Sequence, residues 1–204
     1  MIKNQDRSKW FGASDTATIM GNWDTDTFLK WWFVKLGYQN DFHGTWKMKC
    51  GNIVEIPIIR AIEKEYGIKI KIGKRPYYNI PLRLRVNYDG LMKDRCVEIK
   101  TCGKMFDKVP KHYWQQCQVE MFKKHKKLCD LYAYEMTEDD YCFPYFIEID
   151  FKRIKRFEIP FDECFIKEEY KPRLRYLASC LRHRKIPNWR EYEQNYCNKR
   201  GKND

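Results

Sequence analysis

The nine cysteines include no CxxC pair, and an odd count cannot close into a full set of bridges. Their irregular spacing excludes a disulfide framework of the small secreted kind. Cys164, Cys180 and Cys197 stand too far apart for an iron–sulfur or zinc motif, so no iron–sulfur cluster is expected. The thiols read as reduced and mostly core-filling, which is the cytoplasmic pattern. No apolar run approaches the length of a membrane span, so no membrane partner is expected. The N-terminal residues carry no secretory pattern, and there is no internal repeat, low-complexity tract or long flexible linker. Solenoids and low-complexity fibrous chains are thereby set aside, while residues after Pro187 carry little pattern and the last few are expected to fray.

What is present is an excess of positive charge on a chain able to build a core. The 204 residues are 43% hydrophobic and 16% aromatic, and the formal net charge is +12. That balance favours a polyanionic partner, nucleic acid ahead of acidic membrane. The length suits a single domain over residues 1–186, with a core at about 45–151, basic C-terminal helices over 161–186 and a tail from 187 to 204.

The chain is organised around Val86–Lys100, VNYDGLMKDRCVEIK. Cys96–Lys100 alternates with period two, which sets Glu98 and Lys100 on one face of a strand and Val97 and Ile99 on the other. Leu82–Tyr88 also alternates, and Asp89-Gly90 supplies turn chemistry. The two runs are expected to form a hairpin with Asp89 beside Glu98 and Lys100. Two carboxylates can hold a hard divalent ion, and a lysine can orient a water or neutralise developing charge. The plain alternative is a surface hairpin carrying a cross-strand ion pair.

Around this stretch, the residues Ser14 or Asp15 are expected to cap a helix over Thr16–Met20, and a second, aromatic-rich helix runs over Thr27–Leu36. Met48–Tyr66 has the longest apolar stripe, but Pro57 predicts a start near Glu55 or a bend there. Glu55 then reads either as a first-turn acid favoured by the helix dipole or as a third acid over the cleft. Strands are expected at Ile68–Ile72, Leu128–Met136 and Phe143–Phe151, the last two joined by an acidic turn at Glu138-Asp139-Asp140. Lys111–Lys124 reads as a helix, with Trp114, Cys117 and Met121 on its apolar face and Tyr113, Gln116 and Glu120 on the neighbouring one. Lys104 and Lys108 keep the preceding loop basic and are candidate DNA contacts. Phe161–Arg184 reads as one or two basic helices, which either line a nucleic-acid channel or form a solvated face. The order implies a mixed α/β domain, a central sheet flanked by helices.

Five blocks in order carry a resemblance. Arg7 and Ser14 lie in RSKWFGAS, Gly51–Glu55 reads GNIVE, Asp89-Gly90 precedes Val97-Glu98-Ile99-Lys100, and Val109-Pro110 precedes Tyr113-Trp114-Gln115-Gln116-Cys117-Gln118. Together they resemble the YqaJ-type viral recombinase family, that of phage lambda exonuclease, within the PD-(D/E)XK nuclease superfamily. The resemblance implies a restriction-endonuclease-like core and a Mg²⁺-dependent deoxyribonuclease in which Mn²⁺ substitutes. Asp89 and Glu98 would be metal ligands, with the Ile99 carbonyl completing the set and Glu55 assisting. Lys100 would activate the attacking water, Gln116 would orient Lys100 or the nucleophile, and Gln118, on the DNA-binding helix, would support it. Arg7 and Ser14 would receive a DNA 5′ phosphate. By the same resemblance the substrate is double-stranded DNA with free ends, degraded 5′ to 3′ in viral or prophage recombination, in the host cytosol. A single-strand annealing partner and a homo-oligomer are expected with it. The rivals on the same core are an endonuclease or Cas4-like single-strand nuclease, and a DNA-binding module without catalysis. The chain departs from the family where Arg83, Arg85 and Asn87 stand in place of a second acid before Asp89.

Overall fold

The structure, a computed structural model, describes residues 8–38 and 44–197. In chain order the elements are β1 (Phe11–Gly12), α1 (Thr16–Met20), α2 (Asp26–Leu36), α3 (Trp46–Tyr66), β2 (Lys71–Ile72), β3 (Tyr77–Asn79), β4 (Leu84–Val86), β5 (Gly90–Leu91) and β6 (Arg95–Cys102). They continue with α4 (Lys111–Lys124), β7 (Leu128–Glu135), α5 (Glu138–Cys142), β8 (Ile154–Pro160), a π-helical turn Phe165–Tyr170, α6 (Lys171–Arg182) and α7 (Trp189–Tyr192). The architecture is mixed α/β with two mixed sheets among the described residues. It divides into two compact units. One comprises Asn87–Phe161 with the described part of Phe42–Pro76; the other comprises Tyr77–Val86 with the described parts of Asn4–Asp41 and Asp162–Asp204.

The first unit holds a five-stranded sheet of order β2-β5-β6-β7-β8, in which β6 and β7 run parallel and the other pairs antiparallel. A parallel pair needs a crossover, and α4 supplies it. Val97, Ile99, Tyr132 and Tyr134 face α3, where Cys50, Val54, Ile58, Ile59 and Ile62 complete the core. The opposite face of β6 carries Cys96, Glu98 and Lys100, and α4 packs on β6 and β7. One sheet face is therefore a dry core and the other carries ionisable groups.

Helix α3 runs from its Thr45 cap to Tyr66 with Pro57 inside it, overturning the expected start near Glu55. An interior proline costs about 3 kcal/mol. Burying Val54, Ile58, Ile59 and Ile62 completely, at roughly 1.5–3 kcal/mol each, outweighs it. Glu55 consequently sits in mid-helix, and the first-turn dipole reading lapses.

The expected hairpin is corrected in its first strand. β6 pairs with β5, in the register Gly90↔Val97 and Leu91↔Cys96, while β4 leaves for the other sheet. Period two placed side chains correctly on each run but could not choose the partner. Phe143–Phe151 is not a strand. Glu138–Cys142 forms α5, closed by a Thr137/Asp140 capping box, and Ile147, Ile149 and Phe151 pack on the core without strand pairing. The last strand is Ile154–Pro160, which the sequence reading passed over. Strand β2 is shorter than expected, Lys71–Ile72 only.

The second unit contains a three-stranded sheet of order β1-β4-β3, with α1, α2, α6 and α7. Among its aromatics Phe11, Trp23, Phe28 and Trp32 are buried, Trp31 and Phe33 are half-buried, and Trp23 stacks on Tyr176 at 5.8 Å. The basic helix is partly satisfied within this unit. Arg173 donates to the Met20 carbonyl at 2.8 Å, and Arg182 to that of Pro81 at 2.9 Å. The Pro187-onward segment carries α7, capped by Asn188.

Candidate active site

The site lies on the α4 face of β6. Glu98 and Lys100, two residues apart, project to the same side, and Lys100 Nζ meets Glu98 Oε1 at 2.6 Å. Gln116 bridges both. Its Oε1 accepts from Lys100 at 3.1 Å, and its Nε2 donates to Glu98 Oε1 at 2.6 Å. The same Nε2 also donates to Glu120 Oε1 at 2.8 Å, one helical turn further along α4. Tyr113, one turn before Gln116, sets its ring 5.0 Å from Lys100 Nζ. A single helix face thus holds the lysine from two sides.

Asp89 immediately precedes β5. Its Oδ2 accepts from the Ile99 N–H at 2.8 Å, so the carboxylate is held against the edge of β6 beyond the last β5 pair. The N–H and C=O of a strand residue point to the same edge, which turns the Ile99 carbonyl toward Asp89. Gly73 makes this approach feasible. Its N–H donates to the Asp89 carbonyl at 3.2 Å, and a Cβ there would lie 1.8 Å from the Tyr88 carbonyl oxygen. Gly51 plays a similar part on α3, where a Cβ would stand 2.8 Å from Thr101 Oγ1. Glu55, one turn on from Gly51, is brought near enough for Asp89 and Glu98 to act on its charge.

Glu98 and Asp89 act electrostatically on both Glu55 and Glu120 and on each other here, against one lysine. Burial, then Glu98 and Glu55, pushes the Asp89 carboxyl well above the usual carboxylate range. Burial and Glu98 raise Glu55, and burial and Glu98 raise Glu120 strongly. Burial alone would lower the Lys100 ammonium, but Glu98 and Asp89 outweigh it, and Lys100 stays charged. A cation placed in such a pocket would relieve the repulsion among its acids. Its donors are oxygen, the set preferred by Mg²⁺ and Mn²⁺. Asp89, Glu98 and the Ile99 carbonyl fit that role, with Glu55 beside them.

The other expected residues fall elsewhere. Gln118 is fully buried and donates to the Pro160 carbonyl at 2.9 Å, tying α4 to β8. That geometry supports the helix and presents nothing to solvent. Lys104 and Lys108 are exposed in the loop before α4. Ser14 is exposed, in the short 3₁₀ turn Ala13–Asp15 of the second unit. Neither Ser14 nor Asp15 caps α1 with its side chain; Asp15 instead takes Lys35 Nζ at 2.6 Å and the Trp31 indole at 3.0 Å. Arg7 lies outside the described residues. Glu120 was passed over as a site residue. Its signal was present, since Gln116 and Glu120 are i and i+4 on one helix face, but an acid on a helix defaults to a solvated reading.

A family model, the YqaJ-like viral recombinase domain, matches residues 4–123, more than half of the chain. The chain belongs to that family. All five motif blocks lie within the matched span. An alkaline exonuclease, LHK-Exo, from Laribacter hongkongensis aligns with a TM-score of 0.62 at 19% identity, over 95% of each chain. Its complex with dAMP aligns at 0.64 and 18% identity, again over 95% of each chain. A phage-related exonuclease from Haemophilus somnus 129PT aligns at 0.63 and 16% identity, over 93% of this chain and 96% of that one. At these identities the likeness is one of fold, and the fold is that of these exonucleases. No curated protein matches the chain.

Proposed function

We propose that this YqaJ-family protein is a divalent-metal-dependent deoxyribonuclease that resects double-stranded DNA from its ends, 5′ to 3′, in viral recombination. The observation that carries the reading is the bridge from Lys100 through Gln116 to Glu98, with Asp89 held alongside by Ile99. A binding module has no use for buried like charges facing one lysine. Mg²⁺, with Mn²⁺ as its substitute, suits the oxygen donors of Asp89, Glu98 and the Ile99 carbonyl, with Glu55 in support. When bound, such a cation polarises a phosphodiester and acidifies a water.

The chain's own residues do the rest. Lys100, charged and pinned between Gln116 and Tyr113, orients the attacking water and stabilises charge on the phosphate. Gln116 gives the ammonium a second partner beside Glu98. Gln118 fixes the helix that presents Gln116 and Tyr113. The net charge of +12 favours the DNA backbone, and binding should weaken as salt rises. Exposed Lys104 and Lys108 suit backbone contacts. In the second unit Lys9, Lys35, Arg83, Arg182 and Arg184 line a cavity of about 170 Å³, a further anion-attracting surface. Arg7 and Ser14 are assigned the 5′ phosphate by their place in the family motif. An annealing protein and a homo-oligomer belong to the same reading.

The test is a Mg²⁺ nuclease assay on linear duplex labelled at either end and on closed circles, with wild type and Glu98→Gln. Loss of linear DNA from 5′ ends, with circles intact and the variant inert but DNA-bound, is expected. Cut circles would move the activity to an endonuclease, and cleavage by Glu98→Gln would remove the site.

A further inference from the structure

We propose that Cys117, Glu120 and Cys129 form a second metal site, buried beneath the catalytic face, that takes a thiophilic divalent cation of the zinc type. This stands apart from the nuclease reading, because it concerns what holds α4 to the sheet whatever α4 does. One donor atom from each of the three residues lies within 4.8 Å of the others, and all three residues have no exposed surface. The spread is close to that of ligands around a tetrahedral ion.

The buried carboxylate is the second observation, and it points to a ligand. Glu120 Oε1 accepts from Gln116, but Oε2 is buried with no hydrogen-bond partner. Cysteine is a good core filler and needs no explanation by itself. A carboxylate in a dry core does, since an unpaired charge there costs several kcal/mol. A proton at Oε1 would confront the Gln116 donor and would still leave Oε2 without a partner. A cation at Oε2 satisfies the oxygen and draws in the two sulfurs.

Cys96 on β6 is the register partner of Cys129 on β7, so it shares that sheet face, but its thiol lies outside the group of three. Glu120 and Cys117 both act on the Cys96 thiol. Two thiols and a carboxylate select zinc over magnesium, whereas the oxygen donors around Asp89 select the reverse. Cys96 is two residues before Glu98, about 6–7 Å along the strand. The two sites are therefore neighbours of opposite chemical taste. Cys117 is adjacent to Gln116, and Glu120 is one turn on. A cation shared with Cys129 would fix the rotation and height of α4 over β6, making these residues positioning residues for Gln116.

The full chain, purified without chelator from zinc-supplemented medium, is analysed for metal content and then exchanged with Co²⁺. The expected result is one zinc per chain that survives excess Mg²⁺, and thiolate-to-cobalt charge-transfer absorption after exchange. Glu98→Gln should retain the zinc. Cys117→Ser and Cys129→Ser should weaken it by more than the roughly 10–100-fold typical of a merely supporting residue. Cys142→Ser, at an exposed thiol, should leave it unchanged. Wild type that holds no stoichiometric zinc and gives no cobalt charge-transfer band overturns the site, and that measurement needs no variant to fold. Zinc retained by Cys117→Ser/Cys129→Ser overturns it equally.

Discussion

Gln116→Ala tests the hydrogen-bonded bridge most directly, because the side chain has three ionisable partners with unequal resources. Glu98 keeps Lys100 at 2.6 Å when the amide is removed. Lys100 keeps Glu98 and the Tyr113 ring. Glu120 keeps nothing comparable: Gln116 is the donor to Oε1, and Oε2 has no partner. The stability loss should therefore flow through Glu120 rather than through Glu98 and Lys100. Leaving a buried charge without its partner costs about 3–5 kcal/mol, and we expect about 3 for metal-free protein. At roughly 2–4 °C per kcal/mol for a chain of this size, the melting midpoint should fall by about 6–12 °C. Glu120→Gln in the Gln116→Ala background exchanges the charge for a neutral amide, whose own unmet bonds cost about 1–3 kcal/mol. It should restore on the order of 2 kcal/mol. The assay is urea unfolding in chelator for the wild type, both single variants and the double variant. A double variant no more stable than Gln116→Ala would refute the routing through Glu120.

Lys100→Ala should lower kcat by at least ~10²-fold with little change in KM, the scale of an acid–base or electrostatic group; a rate near wild type removes Lys100 from the chemistry. Saturating Mg²⁺ should stabilise the fold, since it relieves the mutual repulsion of Glu55, Asp89 and Glu98. At 100 times its Kd the gain is about 2.7 kcal/mol, and a melting midpoint that ignores Mg²⁺ in wild type would argue against the oxygen site. Arg7→Ala should erase any preference for 5′-phosphorylated over hydroxyl ends, read from initial rates on the two substrates; an unchanged ratio refutes the phosphate role.

The helices were legible because their information is local. Lys111–Lys124 coincides with α4, and Thr27–Leu36 differs from α2 by one residue. The strand partners were not, because pairing is decided far away in sequence. β4 leaves Asp89 behind and joins β1 in parallel, Phe11 opposite Leu84. Nothing in Leu82–Tyr88 records that choice. Phe143–Phe151 misled for a related reason. Ile147 and Ile149 alternate because they reach the α3 core, and packing alone imposes that rhythm without a neighbouring strand. Pro57 misled in the other direction, since a local penalty was weighed without the burial that overrides it.

The strand face that carries Glu98 and Lys100 was readable from period two, and the correction to the hairpin left it intact. Asp89 reaches Ile99 because it lies at the entry to β5, whichever strand precedes it. Glu120 shows where such reading stops. Its helical spacing from Gln116 was visible, but burial was not, and only burial turns an ordinary acid into an unresolved one. The consequence reaches beyond one residue. A folded chain that encloses several carboxylates around one lysine has accepted repulsion that its core must offset. The five fully buried side chains of α3 on one face of the sheet supply that offset, while Gly51 and Gly73 allow the close approaches that bring the acids together. Stability on one face of β6 thus permits electrostatic frustration on the other. A cation bound at that second face would lower the energy of the same arrangement that a metal-free chain finds costly.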